Sequence, residues 1–366
     1  MFNLKLQEKT VSILVSNYFS ICGGAEKQFN MIADKLSKLG YEVTIITRNK
    51  KSKKDELTIL KDIKVFSVYV GEGKLSKYKY IFKSLRYLLK SPYQNTIISS
   101  QYGSNSIIAV LYSLIYKTKV IARGSGREIE IIEKNIIKRV FFKILSKKIN
   151  YIVAINHRLE NKLKSVLGIK SIDKIKYISN SVTLGNQVDI HKNESIICIS
   201  RIENIKGIDI LLEVWRQLEE KNYNIPLLII GNGSERKELK NKYSFLRNVE
   251  WKDETSNIEQ YIDTARCMIS TSRYEGVSNS ILESMAKGVP IIATKNYGNI
   301  ELIENNITGI LTSFKIEDII ESIVNLYNDK DKLSYLSNNS MKYIEKERSV
   351  EDMIDKYLNI IEKVEK

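Results

Sequence analysis

The sequence predicts an α/β protein made of two doubly wound, Rossmann-like parallel-sheet domains. Two observations carry that expectation. Strand-sized apolar runs alternate with amphipathic helical stretches along nearly the whole chain. The alternation breaks once, near the middle, at the polar stretch Ser179–Glu194, which has little periodicity and reads as a linker. Length agrees, since 366 residues suffice for two ordinary domains, at roughly 150 residues each.

In the first half, Val11–Ser16 reads as a buried strand and Glu26–Leu39 as an amphipathic helix stopped by Gly40. Tyr41–Thr47 follows as the next strand, and Val65–Val70, Thr96–Ser99, Val120–Ala122 and Tyr151–Ile155 as further strands, each separated by a helical segment. After the linker, strands are expected at Ile196–Ser200, Leu227–Ile230, Met268–Ser270 and Val289–Ala293. Helices are expected at Gly207–Glu220, Glu235–Tyr243, Ser280–Lys287, Ile316–Tyr327, Lys332–Lys346 and Val350–Lys366. The expected division is therefore 1–183, 184–346, and a final helix over 347–366 packing back on the first domain.

Composition narrows the class. Hydrophobic content of 43% and charged content of 28% are those of a globular protein. Cys22, Cys198 and Cys267 form neither a C-x-x-C pair nor a Cys/His cluster, which argues against a disulfide framework or zinc and for a reducing cytoplasm. No secretory leader and no bilayer-length apolar run is evident. The net charge of +15 is unevenly spread: residues 1–185 hold 34 Lys and Arg against 13 Asp and Glu, and the remainder is net negative.

Two basic stretches account for much of this. Lys74–Lys90 places Leu75, Tyr78, Phe82, Leu85 and Leu89 at helical spacing between cations, and Lys134–Lys148 repeats the theme. Such helices suit an anionic membrane surface, or else the stripe packs on a sheet and the lysines are merely solvated. Nucleic acid is not expected, because no binding-module signature accompanies the charge. His157 and His191 are isolated and read as structural or surface residues.

The chemistry concentrates between Arg273 and Pro290, R-Y-E-G-V-S-N-S-I-L-E-S-M-A-K-G-V-P. Glu275 and Glu283 bracket a turn that runs into a short helix, whose first N–H groups suit an anion while the carboxylates suit sugar hydroxyls. Ser280 and Glu283 also fit a capping box, in which Glu283 would only satisfy backbone donors. Gly23 and Gly24 open a helix after the first strand, where backbone can approach a phosphate, or simply make a tight turn. Arg201 and Lys206 stand at a strand's carboxyl end, where two cations can neutralise a diphosphate. The turn Gly231-Asn232-Gly233 leaves room for a base or ribose, or is a purely structural turn.

Taken together, G-G-A-E at 23–26, S-N-S-V at 179–182, S-R-I-E-N-I-K-G at 200–207, I-I-G-N-G at 229–233, E-G-V-S-N-S-I-L-E-S-M-A-K-G-V-P at 275–290 and G-N-I-E-L-I-E-N-N-I-T-G at 298–309 resemble glycosyltransferase family 4. The resemblance implies GT-B architecture, with two Rossmann-like domains facing each other across a cleft. It implies a retaining, metal-independent transfer from a nucleotide-sugar, UDP-linked, which is a substrate rather than a cofactor. Arg201 and Lys206 would hold the leaving diphosphate and Glu275 would lie at the donor sugar. Gly276, Val277, Ser278 and Asn279 would contact sugar and phosphate, Glu283 the ribose, and Gly24 the diphosphate. The expected acceptor is a lipid-linked or cell-envelope glycan, met by a cytoplasmic enzyme lying peripherally on the inner membrane face. The alternative is a non-catalytic sugar-nucleotide-binding or scaffold protein on the same fold. One departure stands out: where many family members carry a histidine, this chain reads V-I-A-R-G-S-G-R-E, with Arg123 and Gly124.

Overall fold

The structure is a computed structural model that describes residues 9–16, 24–49, 56–60, 62–124, 126–168, 173–255 and 257–363. Its chain forms two compact units, residues 1–179 with 353–366, and residues 180–352.

The first unit is built on an eight-stranded sheet. Its strands are β1 (Thr10–Val15), β2 (Glu42–Asn49), β3 (Glu56–Leu60), β4 (Ile63–Tyr69), β5 (Thr96–Ser100), β6 (Lys119–Arg123), β7 (Tyr151–Ala154) and β8 (Ile175–Tyr177). They run in the order β3-β4-β2-β1-β5-β6-β7-β8, with only β3 antiparallel to its neighbour. The helices are α1 (Gly24–Lys38), α2 (Ser76–Lys90), α3 (Ser104–Ser113), α4 (Gly126–Lys134), α5 (Ile136–Ser146) and α6 (His157–Leu167). β1, TVSILV, is buried along its whole length because a central parallel strand is covered on both faces.

The second unit carries a six-stranded, fully parallel sheet. Its strands are β9 (Ser195–Ile199), β10 (Leu227–Ile230), β11 (Val249–Lys252), β12 (Ala265–Ser270), β13 (Ile291–Thr294) and β14 (Ile310–Thr312). Their order, β11-β10-β9-β12-β13-β14, is that of a Rossmann sheet, and its switch point lies between β9 and β12. The helices are α7 (Ile208–Glu220), α8 (Arg236–Lys242), α9 (Glu259–Ile262), α10 (Asn279–Met285), α11 (Tyr297–Leu302), α12 (Ile316–Asn328) and α13 (Lys330–Glu347). Trp215 of α7 is fully buried and donates its indole N–H to the Ile225 carbonyl at 2.9 Å, so its polar atom is satisfied inside the core.

A last helix, α14 (Val350–Glu362), begins in the second unit and ends in the first. Within the first unit Tyr357 is fully buried, Tyr41 donates its hydroxyl to Glu362 at 2.7 Å, and Lys119 donates to the Lys363 carbonyl at 2.7 Å.

The fold corrects one expectation and decides a point left open. The polar stretch after Ser179 is not a free linker: Val182, Gly185 and Val188 donate backbone N–H groups to the carbonyls of Arg348, Ala286 and Lys287, which lays it against the second unit. Of the apolar stripe on Lys74–Lys90, only Leu85 packs on the core from α2, whose buried face is a different one. Tyr80, Ser84 and Leu88 are buried there, while Leu75, Tyr78, Phe82 and Leu89 face solvent. No helix among the described residues is long and apolar enough to cross a membrane.

Candidate functional site at the switch point of the second sheet

The site is assembled from the loops that leave β9 and β12, the two strands flanking the switch point. Beyond β9, residues 200–203 cross the carboxyl edge of the sheet, and Asn204–Lys206 form one 3-10 turn. Gly207 then takes a left-handed φ of 65° that redirects the chain into α7. A Cβ there would sit 2.1 Å from the Thr271 carbonyl oxygen, so the two loops pass backbone against backbone. Thr271 fixes the crossing by donating its hydroxyl to the Gly207 carbonyl at 2.8 Å.

Lys206 and Glu275 meet at this crossing. Lys206 Nζ donates to Glu275 Oε1 at 2.6 Å, with the two side chains only 15% and 9% exposed. Ser272 Oγ donates to the same oxygen at 2.9 Å. A nearly buried ion pair loses much of its Coulombic gain to desolvation, so apolar residues of similar volume would serve stability as well. The pair stands at the carboxyl ends of the strands flanking the switch point, the place where doubly wound sheets bind ligands.

Arg273 ties the loops together a second time. Its guanidinium donates to both carboxylate oxygens of Asp209, at 2.8 and 2.6 Å, and to the Asn204 carbonyl at 2.6 Å. Its backbone N–H donates to the Ile205 carbonyl at 2.9 Å. The hydrogen bonds from Arg273 hold the Asp209 carboxyl below its ordinary range. On the far side of the β12 loop, Thr294 and Asn296 donate to the Ser272 carbonyl at 2.9 and 2.8 Å. Gly298 lets α11 approach: a Cβ there would lie 2.7 Å from both the Cβ and the carbonyl oxygen of Glu275.

The turn after β10 closes against the β9 loop. Gly231 has φ 148° and a Cβ on it would fall 1.9 Å from the Ser200 carbonyl oxygen. Ile202 donates its N–H to the Asn232 carbonyl at 2.8 Å, and Ser234 donates its hydroxyl to Glu203 at 2.8 Å. That hydroxyl bond leads the causes that lower the Glu203 carboxyl, with Arg201 adding a weaker pull. The side chain of Arg201 itself is exposed. Beneath, burial pushes the Cys198 thiol up to about 12, which leaves it protonated and inert.

Glu283 lies within α10 and is half-buried. The N-cap of α10 is Ser278, which makes no side-chain cap bond, so Glu283 falls beyond the third helical position and the capping-box reading fails. Gly276 and Val277 form the turn before the helix, and Val277 packs on the core. Asn279 accepts a bond from Asn180 at 2.7 Å, and Ser278 Oγ lies 3.2 Å from Ser280 Oγ. With seven residues, α10 has a weak macrodipole, and the hydroxyl and amide side chains there matter more than the dipole.

In the first unit, Gly24 opens α1, while Gly23 lies outside the described residues. Arg123 ends β6, is buried, and stacks its guanidinium 5.4 Å from the centre of the Phe29 ring. At the switch point between β1 and β5, Gln101 adopts φ 69°, Ser16 donates to its side chain at 3.0 Å, and Asn105 donates to Ser16 at 3.1 Å. This polar cluster, like Ser272, Arg273 with Asp209, Thr294 and Asn296, was not singled out from sequence. Gly298, in contrast, was visible inside the block at 298–309. His157 stacks on Tyr177 at 4.2 Å and contacts Glu160, and His191 lies 2.9 Å from Ser334, both in structural roles.

Comparison with known proteins bears on this geometry. Residues 185–343 match the family model described as Glycosyl transferases group 1. A Staphylococcus aureus poly(ribitol-phosphate) alpha-N-acetylglucosaminyltransferase is 28% identical over 220 residues, covering 58% of this chain and 44% of that protein. This chain thus spans less than half the length of that relative. The amylovoran biosynthesis glycosyltransferase AmsD of Erwinia amylovora is 24% identical over 86% of this chain and 88% of its own. The crystal structure of Anabaena Alr3699/HepE in complex with UDP and glucose superposes with a TM-score of 0.79 at 15% identity, covering 97% of this chain and 100% of that one. The chain therefore has the two-sheet GT-B fold, and the matched stretch 185–343, which contains the Lys206–Glu275 site, supports a group 1 glycosyltransferase.

Proposed function

We infer that this protein is a retaining, metal-independent glycosyltransferase that uses a UDP-sugar and acts on a lipid-linked or cell-envelope glycan at the inner membrane face. The observation that carries the reading is the buried Lys206–Glu275 pair at the switch point of the second sheet. An ammonium held there meets the diphosphate of a nucleotide-sugar, and exposed Arg201 adds a second cation without a metal. Glu275, anchored by Ser272, offers its carboxylate to sugar hydroxyls. Gly207 and Gly231 let the loops after β9, β10 and β12 pack backbone against backbone, which fixes the positions of Lys206 and Arg201 for the nucleotide. Glu283 takes the ribose, and the backbone of Gly276, Val277, Ser278 and Asn279 takes the sugar and phosphate. The similarity to a poly(ribitol-phosphate) alpha-N-acetylglucosaminyltransferase and to an amylovoran biosynthesis glycosyltransferase favours an envelope polysaccharide acceptor.

The test is calorimetric titration of UDP and UDP-sugars, followed by NMR of the anomeric product. Binding of UDP by the wild-type chain that Lys206→Met reduces at least about tenfold supports the reading. Unchanged binding in that variant, inversion at the anomeric carbon, or activity abolished by EDTA would each remove the corresponding part.

A further inference from the structure

The first unit presents an apolar and basic face that the fold leaves uncovered. α2, α3 and α5 each join parallel strands stepping in the same direction across the sheet, β4 to β5, β5 to β6 and β6 to β7. Right-handed crossovers then place all three on one side, and α3 packs against both α2 and α5.

α5 has two apolar faces. Phe142 and Leu145 are buried on the inner one. Ile136, Ile137, Val140, Phe141 and Ile144 fall at i, i+1, i+4, i+5 and i+8, a single outer stripe, and each is between 50% and 77% exposed. α2 repeats this, with Leu75, Tyr78 and Phe82 each at least 65% exposed and opposite its buried Tyr80 and Leu88. Single exposed apolar residues are ordinary, but two such stripes on helices that flank a third on one side of a sheet are not.

The charge identifies the occupant. Residues 74–90 and 134–148 together hold twelve Lys and Arg and no Asp or Glu, and no carboxylate occurs anywhere between Glu72 and Glu128. On α4, Glu130 and Glu133 are engaged by Arg158 and Lys162 of α6. On α5, Lys143 and Lys147 flank one edge of the stripe and Lys138 the other, so long cationic stems surround the apolar centre. Nucleic acid could stack a base on Phe141 but offers no apolar layer to cover the aliphatic stripe of Ile136, Ile137, Val140 and Ile144. An isologous pairing of two copies would set the twelve cations against twelve more.

We propose that the outer faces of α5 and α2 dock this protein on an anionic phospholipid bilayer, with Ile137 and Phe141 entering the headgroup–acyl boundary and the flanking lysines engaging lipid phosphates. The proposal rests on the reading of a membrane-located acceptor but not on the donor site. It requires shallow insertion of side chains, with no helix crossing the bilayer.

The experiment is flotation of the full chain with phosphatidylcholine vesicles with and without phosphatidylglycerol, at low and high salt. The wild type floats with anionic vesicles and is released by salt. Ile137→Ser/Phe141→Ser and Lys138→Glu/Lys143→Glu/Lys147→Glu each lower partitioning at least about tenfold. Tryptophan emission of Phe141→Trp shifts to the blue on anionic vesicles. Both multiple variants keep the wild-type melting temperature, because these side chains are exposed, and keep UDP affinity. Flotation of Ile137→Ser/Phe141→Ser equal to wild type, or unshifted Phe141→Trp emission, overturns the proposal. So does a concentration-dependent doubling of mass that Phe141→Ser abolishes without any vesicle binding. Loss of UDP binding by the wild type would sink the donor reading and leave docking standing.

Discussion

Lys206 Nζ lies 2.6 Å from Glu275 Oε1, joining residues 69 positions apart across the switch point of the second sheet. Neither side chain is more than 15% exposed. One consequence is an asymmetry between variants. Glu275→Ala strands a nearly buried ammonium, and the expected loss of stability is about 3 kcal/mol. Glu275→Gln keeps acceptors for Lys206 and Ser272 and should cost less, while lowering sugar transfer by at least about a hundredfold. Thermal melts and turnover on the two variants check this; equal turnover by Glu275→Gln and wild type would show that the carboxylate charge is not used.

The glycine positions separate clash from backbone strain. Gly40 and Gly231 both have positive φ, but only Gly231 has a carbonyl oxygen where its Cβ would go, Ser200 at 1.9 Å. Gly40→Ala should therefore cost about 1–2 kcal/mol. Gly231→Ala must displace the β9 loop that carries Arg201, so its loss of nucleotide affinity should exceed that of Gly40→Ala by at least about tenfold. Denaturant titrations paired with UDP calorimetry measure both, and similar affinities would exclude a role for this turn in binding.

Arg273 and Asp209 are positioning residues, holding the β12 loop against the turn that carries Lys206. Arg273→Ala should raise KM for the donor more than it lowers kcat, because the loops stay chemically intact but lose registry. The pair also contributes to the pH dependence of stability. Asp209 has a folded pKa below its ordinary 3.8, so its contribution is complete above that value and is lost as pH falls below it toward the folded value. Both groups are about a third exposed, and Asp209→Asn should flatten the acid limb by less than about 1 kcal/mol. A larger change would mean that the ion pair is coupled to more than the two loops.

Burial raises the thiols of Cys198 and Cys267 to about 12. At neutral pH both should resist maleimide labelling in the folded protein and react fully on unfolding, as peptide mapping by mass spectrometry can follow. Rapid labelling of Cys198 under native conditions would show that the floor of the Lys206–Glu275 site opens. UDP should slow any such opening further.

The sequence showed the central strands and not the rims. β3, β8, β11 and β14 were all missed, and they are the four edge strands of the two sheets. An edge strand covered on fewer sides needs no unbroken apolar run, as the half-exposed Val249–Lys252 shows. In the candidate site, Lys206 and Glu275 stood out in the sequence and the fold brings them into contact, and Gly231 falls at a turn where a Cβ would meet backbone. Ser272, Thr294 and Asn296 did not stand out, because small polar residues act here through contacts that only the folded loops create. The stripe on α2 was recognised, but its direction was not: helical spacing reports that a face is apolar, not which side the sheet takes.

α14 gives the first unit an unusual assembly history. Tyr357, buried in that unit, is encoded after the whole of the second unit. During synthesis the second unit can complete its sheet while the first still lacks part of its interior, reversing the usual order of maturation from the amino end. A nascent chain stalled before Met353 should carry a folded, nucleotide-competent second unit beside a first unit that remains sensitive to protease. Emergence of α14 would then complete the first unit, so that a change as late in the sequence as Tyr357→Ala would be felt in a sheet built from its early strands.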